Sequence, residues 1–178
     1  MMEFTYQLES NDFLQYQLFT ASQSKSIAKK KMYGWLIFTL AASIFALYCY
    51  FNNSTALAIY FGAIAAIWGV FYPRYFSWKY AKQYAAFINK NYKNRFGQST
   101  TVTLSKNHII ATDDSGEGKM KLSEIVGVNE TNQYLFITFN SGASLIIPKR
   151  ELANLEELKN SLTNIGLSIN NELSWRWN

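Results

Sequence analysis

The chain has 178 residues, 49% of them apolar, with 17 Lys or Arg against 12 Asp or Glu, one His and one Cys. One His and one Cys exclude a Cys/His metal cluster, and a single Cys excludes an intrachain disulfide. The net charge of +5 is local: no acid lies between Asp12 and Asp113, a tract that carries eleven Lys or Arg.

Residues 1–32 open with Phe4-Thr5-Tyr6-Gln7-Leu8, whose period of two predicts a short strand. A cap at Ser10 or Asn11 and a helix with Phe13, Leu14, Leu18 and Phe19 follow. An isolated strand is unstable, so this one is expected to join the sheet encoded later in the chain.

Two apolar runs come next, Tyr33 to Phe51 and Ala56 to Tyr72, joined by the uncharged Asn52-Asn53-Ser54-Thr55. At about 1.5 Å rise per residue they span roughly 29 and 26 Å, close to the hydrocarbon thickness of a bilayer. Residues 33–72 therefore predict a transmembrane helical hairpin. A core hairpin of a soluble protein is the alternative, weakened by about 40 residues without a charge or a polar stripe. Small pairs at i,i+4, such as Ala58 with Gly62 and Ala65 with Gly69, permit close helix approach within the hairpin or in a homo-oligomer.

Lys29, Lys30 and Lys31 precede the first run, and Arg74, Lys79 and Lys82 follow the second. These six are the expected membrane-surface contacts. By the positive-inside rule they place both termini in the cytoplasm, with anionic headgroups of the bilayer as partners. Nucleic acid is the competing partner for such charge, disfavoured because the basic residues bracket membrane-length runs.

Residues 73–97 begin at Pro73, which can start or kink a helix, and Trp78 to Asn94 predicts a basic amphipathic juxtamembrane helix. Tyr80, Tyr84, Phe87 and Ile88 form its apolar side. Two readings stay open: a helix lying along the headgroups, or a connector packed on the following domain.

Residues 98–178 turn to short strands at 101–105, 108–112, 119–122, 126–130, 134–138 and 144–147, separated by turns that include Asp113-Asp114-Ser115-Gly116. This predicts an antiparallel meander. Beyond Pro148, Leu152, Leu155, Leu158, Leu162 and Ile165 predict a closing helix that ends at Gly166. Lys149 and Arg150, at the first turn of that helix, are the candidate anion- or headgroup-binding pair, with solvated side chains pairing with Glu151 or Glu156 as the alternative.

The order of these parts resembles the YcxB-like family of bacterial membrane proteins. The likeness is carried by Phe4-Thr5-Tyr6 with Asp12-Phe13-Leu14, by the two-span hairpin, and by Leu122-Ser123-Glu124-Ile125-Val126-Gly127-Val128-Asn129-Glu130. It continues through Tyr134-Leu135-Phe136-Ile137 and Ile146-Ile147-Pro148-Lys149-Arg150. The resemblance implies a pleckstrin-homology-like C-terminal domain. It implies no established activity.

The expected fold is thus α+β: a two-helix transmembrane hairpin with a cytoplasmic antiparallel-sheet, pleckstrin-homology-like domain closed by a C-terminal helix. No nucleophile, base or phosphate loop is assembled by the motifs, so neither an enzyme nor a cofactor is expected. The expected function is a bacterial inner-membrane, non-enzymatic binding or interaction module that presents its cytoplasmic domain to a protein partner or a lipid headgroup. The alternative is an accessory subunit or small transporter built from oligomerised hairpins.

Overall fold

The chain forms two units in a computed structural model that describes residues 2–105, 107–114, 116–152 and 154–177. One comprises Met1–Tyr16 with Ala85–Arg176, the other Gln17–Tyr84 with Trp177–Asn178. The architecture is α+β, with two long apolar helices, one antiparallel sheet and one mixed sheet.

In chain order the described residues form β1 (Met2–Gln7), α1 (Ser10–Gln23), α2 (Lys25–Phe51) and α3 (Thr55–Asn91). Next come β2 (Ser99–Leu104), β3 (His108–Asp113), β4 (Gly116–Lys121), β5 (Ile125–Thr131), β6 (Tyr134–Phe139) and β7 (Ser144–Pro148). The chain closes with α4 (Leu155–Asn164) and β8 (Ile169–Glu172).

The first sheet has the order β1-β2-β3-β4, so the N-terminal strand does join the later one, antiparallel to β2 from Met2↔Leu104 to Gln7↔Ser99. Alternation drives this: Tyr6 is buried, while Thr5 turns outward and pairs its hydroxyl with that of Thr101 at 2.9 Å. The second sheet has the order β7-β6-β5-β8. Here the expectation of one antiparallel meander is corrected. There are two sheets, and β8 lies parallel to β5. Its sequence Ile169-Asn170-Asn171-Glu172 lacks an apolar alternation; instead Asn170 Nδ2 donates to Asn129 Oδ1 at 3.0 Å on the neighbouring strand. The turn expected at Asp113 to Gly116 includes Ser115, which lies outside the described residues.

Both sheets share one core with α4. Val102, Ile109, Val128, Leu135, Ile137 and Ile147 meet Leu158 and Leu162 of the helix there. The helix stops in a Schellman turn: Gly166, at φ +89°, donates to Thr163 O at 2.9 Å, and Leu167 N donates to Leu162 O at 3.2 Å.

The other unit is an antiparallel helical hairpin. The tight turn places Asn53 at φ 56°, a left-handed conformation that Asn tolerates, and Ser54 N donates back to Cys49 O at 2.9 Å. Contacts then run from turn to base in order: Phe45 on Phe61 at 4.6 Å, Phe38 on Trp68 at 4.5 Å, Trp35 Nε1 to Gly69 O at 2.8 Å, and Lys31 Nζ to Ser77 Oγ at 3.2 Å. Gly34 lies so close to Tyr72 that an added Cβ would stand 2.0 Å from the phenol oxygen.

The expected boundary at residue 73 is not marked by a break, since α3 runs continuously through Pro73. Proline supplies no N–H, which leaves the Gly69 carbonyl, four residues earlier, without its helical donor. The Trp35 indole fills that role from the facing helix. Both helices are long and apolar enough to cross a membrane, and only 6% of each apolar window is buried. The core helix of a soluble protein would be mostly buried.

Candidate functional site

The first turn of α1 organises the polar centre of the domain unit. Glu9, rather than Ser10 or Asn11, is the capping residue: its carbonyl accepts from Asp12 N at 3.0 Å, and its own N–H donates to Asp12 Oδ2 at 2.7 Å. Asp12 thus serves the third helical position, where an acid reaching back closes the turn and meets the positive end of the helix dipole. This carboxylate is only 1% exposed.

Arg150 answers it with a two-pronged contact, Nη1 to Oδ1 at 2.7 Å and Nη2 to Oδ2 at 2.8 Å, and the Tyr134 hydroxyl donates to Oδ1 at 2.8 Å. Burial pushes the Asp12 carboxyl up, but Arg150, the Glu9 amide and Tyr134 together hold it below the usual carboxylate range. Burial and the adjacent Asp12 push the Tyr134 phenol upward, so it remains a proton donor. Tyr134 stacks on Phe136 at 5.5 Å, and Tyr16 meets the other edge of Phe136 at 5.4 Å. One turn further along α1, the Tyr16 hydroxyl donates to Ser144 Oγ at 2.5 Å.

A second cluster centres on Glu130 of β5. Lys149 Nζ stands 2.7 Å and Lys159 Nζ 3.1 Å from its two carboxylate oxygens, and Lys159 also reaches Glu156 at 3.1 Å. Burial opposes the charge on Glu130, yet the two lysines hold its carboxyl below the ordinary range. Hydrogen bonds to Glu156 and Glu130 raise Lys159 in turn.

These clusters change the setting of the expected anion-binding pair. Lys149 and Arg150 do not lie at the first turn of α4; they form a separate 3-10 turn, Lys149–Glu151, and the helix begins at Leu155. The helix dipole therefore does not act at them, because its effect falls off within one turn. Each already faces a buried carboxylate, and an incoming anion would have to compete with Asp12 or Glu130. Sequence reasoning missed Asp12, Tyr134, Glu130 and Lys159. The acid three positions after Glu9 was the one readable signal, while the other pairings join residues more than a hundred positions apart or on different elements.

The six expected membrane-surface residues all lie in the hairpin unit, at its base. Lys29 and Lys30 are exposed before the first apolar run, and Lys31 is half-buried against Ser77 of α3. Arg74, Lys79 and Lys82 are exposed on α3, where Lys82 Nζ sits 5.2 Å from the centre of the Trp78 ring. Further along, from Ala85, the helix belongs to the domain unit: Ile88 is fully buried, Asn89 Oδ1 accepts from Ser10 Oγ at 3.1 Å, and Tyr92 packs on Phe13 at 5.4 Å. From Ala85 onward the basic segment thus packs on the domain, as the connector reading expected.

Among the described residues no group of three or more His, Cys, Asp or Glu could hold a metal ion. His108 opens β3 and Cys49 is buried near the turn of the hairpin.

Residues 104–160 match the family model described as YcxB-like protein. No curated protein and no solved structure matches the chain.

Proposed function

We propose that this chain, whose residues 104–160 match the YcxB-like family model, is a membrane-anchored, non-enzymatic interaction module. One observation carries the reading: one unit is a hairpin whose apolar side chains face outward, with a basic belt at its base, while the other unit buries its own core. Outward apolar faces of bilayer length are stable in lipid and unstable in water. The belt of Lys29, Lys30, Lys31, Arg74, Lys79 and Lys82 orients the hairpin with both termini in the cytoplasm of a bacterial cell and meets anionic headgroups. Two four-stranded sheets that enclose a core closed by α4 support a pleckstrin-homology-like reading of the domain. Its business is with a protein partner; a headgroup at Lys149 and Arg150 is disfavoured, because both cations are matched by carboxylates within the domain.

Reporter fusions that are active only outside the cytoplasm test the orientation. They should be silent at either terminus and active when inserted at Asn53, and an active terminal fusion would overturn the reading.

A second reading has its own support. Ser43, Ala46, Ala58, Gly62, Ala66 and Gly69 line an open apolar groove of about 760 Å³ along the hairpin, a surface on which a second hairpin would pack to build an oligomeric accessory subunit or small transporter. The mass of the detergent-extracted protein separates the two: a stable homo-oligomer that conducts solute favours transport, and a distinct co-purifying protein favours the module.

A further inference from the structure

The inward row of the first sheet shrinks toward one edge, through Phe4, Val102, Ala111 and Gly118 in register on β1, β2, β3 and β4. With no side chain at Gly118 and a single methyl at Ala111, the space in front of that edge stays open. A cleft of about 390 Å³ results, with Ala111, Gly118 and Met120 on one wall and Leu145 of β7 on the other. That size falls among small-molecule sites, which run from roughly 300 to 1,000 Å³.

Two neutral polar side chains of this cleft lack partners. Tyr6 is 2% exposed, and its hydroxyl has no hydrogen-bond partner among the described residues. Burial pushes its phenol upward, so it remains a proton donor. The Gln98 side-chain oxygen is shielded from solvent and likewise has no partner. Both residues line the cleft, where Gln98 stands two positions before Thr100, the residue that register sets opposite Tyr6. A buried polar group without a partner opposes folding, so two of them in one cleft point to an occupant that satisfies both.

The charges around the cleft do not select an ion. Gly116, Gly118 and Met120 share the inward face of β4, which turns Glu117, Lys119 and Lys121 to the opposite face. Asp113 already accepts from Gly116 N at 3.2 Å, and Arg95 is exposed to water. The other polar side chains of the lining, Tyr6, Gln98, Thr100 and Ser144, are neutral, and each can donate. One acceptor, the Gln98 oxygen, needs a donor in return. A carboxylate has no proton for that oxygen, and an ammonium cannot accept from Tyr6. A primary amide does both, with two lone pairs on its carbonyl and N–H groups beside it.

We infer that this cleft binds a small uncharged molecule bearing a primary amide on a short aliphatic body. The amide pairs side by side with that of Gln98, Tyr6 donates to its carbonyl, and the aliphatic part fills the space over Ala111 and Gly118 against Met120 and Leu145. The inference goes beyond the interaction-module reading and does not depend on it, because every group it uses lies within the domain unit.

The test uses the full chain in phosphatidylcholine nanodiscs, with binding read by saturation-transfer NMR against empty nanodiscs. The probes share one carbon body: isocaproamide, isocaproate, isohexylammonium and isohexanol. Saturable binding of the amide is expected, with the two ions about tenfold weaker or more and the alcohol about fivefold weaker, the factor that one neutral hydrogen bond supplies. Tyr6→Phe should weaken amide binding about fivefold and Gln98→Leu about tenfold, while neither lowers the thermal midpoint of the free protein, because each removes a group without a partner there. Gly118→Leu fills the space and should abolish binding; its Cβ would stand 3.7 Å from Ala111 O, an ordinary contact. No saturable binding of isocaproamide, equal binding of any of the other probes, or unchanged binding by folded Tyr6→Phe and Gln98→Leu variants would each overturn the inference. A lowered midpoint in both of those variants would overturn it as well, since it would show that the fold itself uses those groups.

Discussion

The two units treat apolar side chains in opposite ways. In the domain, the ten-residue α4 buries Leu158 and Leu162 almost completely against the sheets, while α2 and α3 leave Phe51 77% and Val70 71% exposed. Polar groups differ in the same sense. The domain gathers charges into its interior and matches each with a partner, as at Asp12 and Glu130; the hairpin carries no charge within its apolar runs and leaves its backbone to satisfy itself. Where proline breaks that arrangement, a single indole repairs it. The difference supports the proposed anchoring, in which one unit meets water and the other a medium that offers no hydrogen bonds.

The strongest way to break this comparison is to leave a domain charge without its partner. Arg150→Ala strands the buried Asp12 carboxylate and should destabilise the domain by about 3 kcal/mol, at the low end for a buried pair because the guanidinium is partly open to water. The deficit should shrink on acidification. Asp12 and Glu130 have folded values below their unfolded ones, so their contribution is complete above the ordinary carboxylate range and is lost as pH falls through the folded values. A protonated Asp12 no longer needs the cation, and denaturant melts of wild type and variant should therefore converge toward low pH. A constant difference at every pH would deny the ion pair its role.

A smaller effect is expected at the end of α4. Gly166→Ala forces a Cβ into the left-handed conformation at φ +89° and should cost about 1–2 kcal/mol in the same melts, with the space around the residue left open. An unchanged midpoint would mean that the turn relaxes freely.

The smallest effect sharpens the hairpin side of the comparison. Trp35→Phe should weaken the hairpin by about 1 kcal/mol by orphaning Gly69 O, and the same change should cost much less in a Pro73→Ala background, where the helix supplies its own N–H. Reversible unfolding of the four variants in mixed micelles measures the coupling. Additive losses would show that the indole acts only through packing.

Much of this architecture is legible along the chain. The hairpin, the strand at Phe4, the strands from Ser99 to Pro148 and the stop at Gly166 follow from local periodicity and turn chemistry, because each is specified by residues within a few positions of one another. The basic belt is equally local, and one contact between Lys31 and Ser77 brings its two halves together. Pro73 misled in a particular way: it signals a break, but the break was offset by Trp35, 38 positions earlier in the sequence, through a contact that no local pattern records. β8 was hidden because its pairing with β5 rests on backbone and asparagine side chains rather than on apolar alternation.

By itself the sequence determined where apolar surface must lie and where positive charge collects, since those properties repeat at the period of the element that carries them. The tertiary structure alone decided which charges are free. Lys149 and Arg150 read along the chain as an exposed cationic pair, and only the fold brings Glu130 and Asp12 within 2.7 Å of them. Electrostatic partners are fixed by distance in space, and at 138 positions of separation the sequence carries no record of that distance. The cleft beside β4 has the same origin: Ala111 and Gly118 are ordinary small residues until register aligns them at the open edge of a sheet.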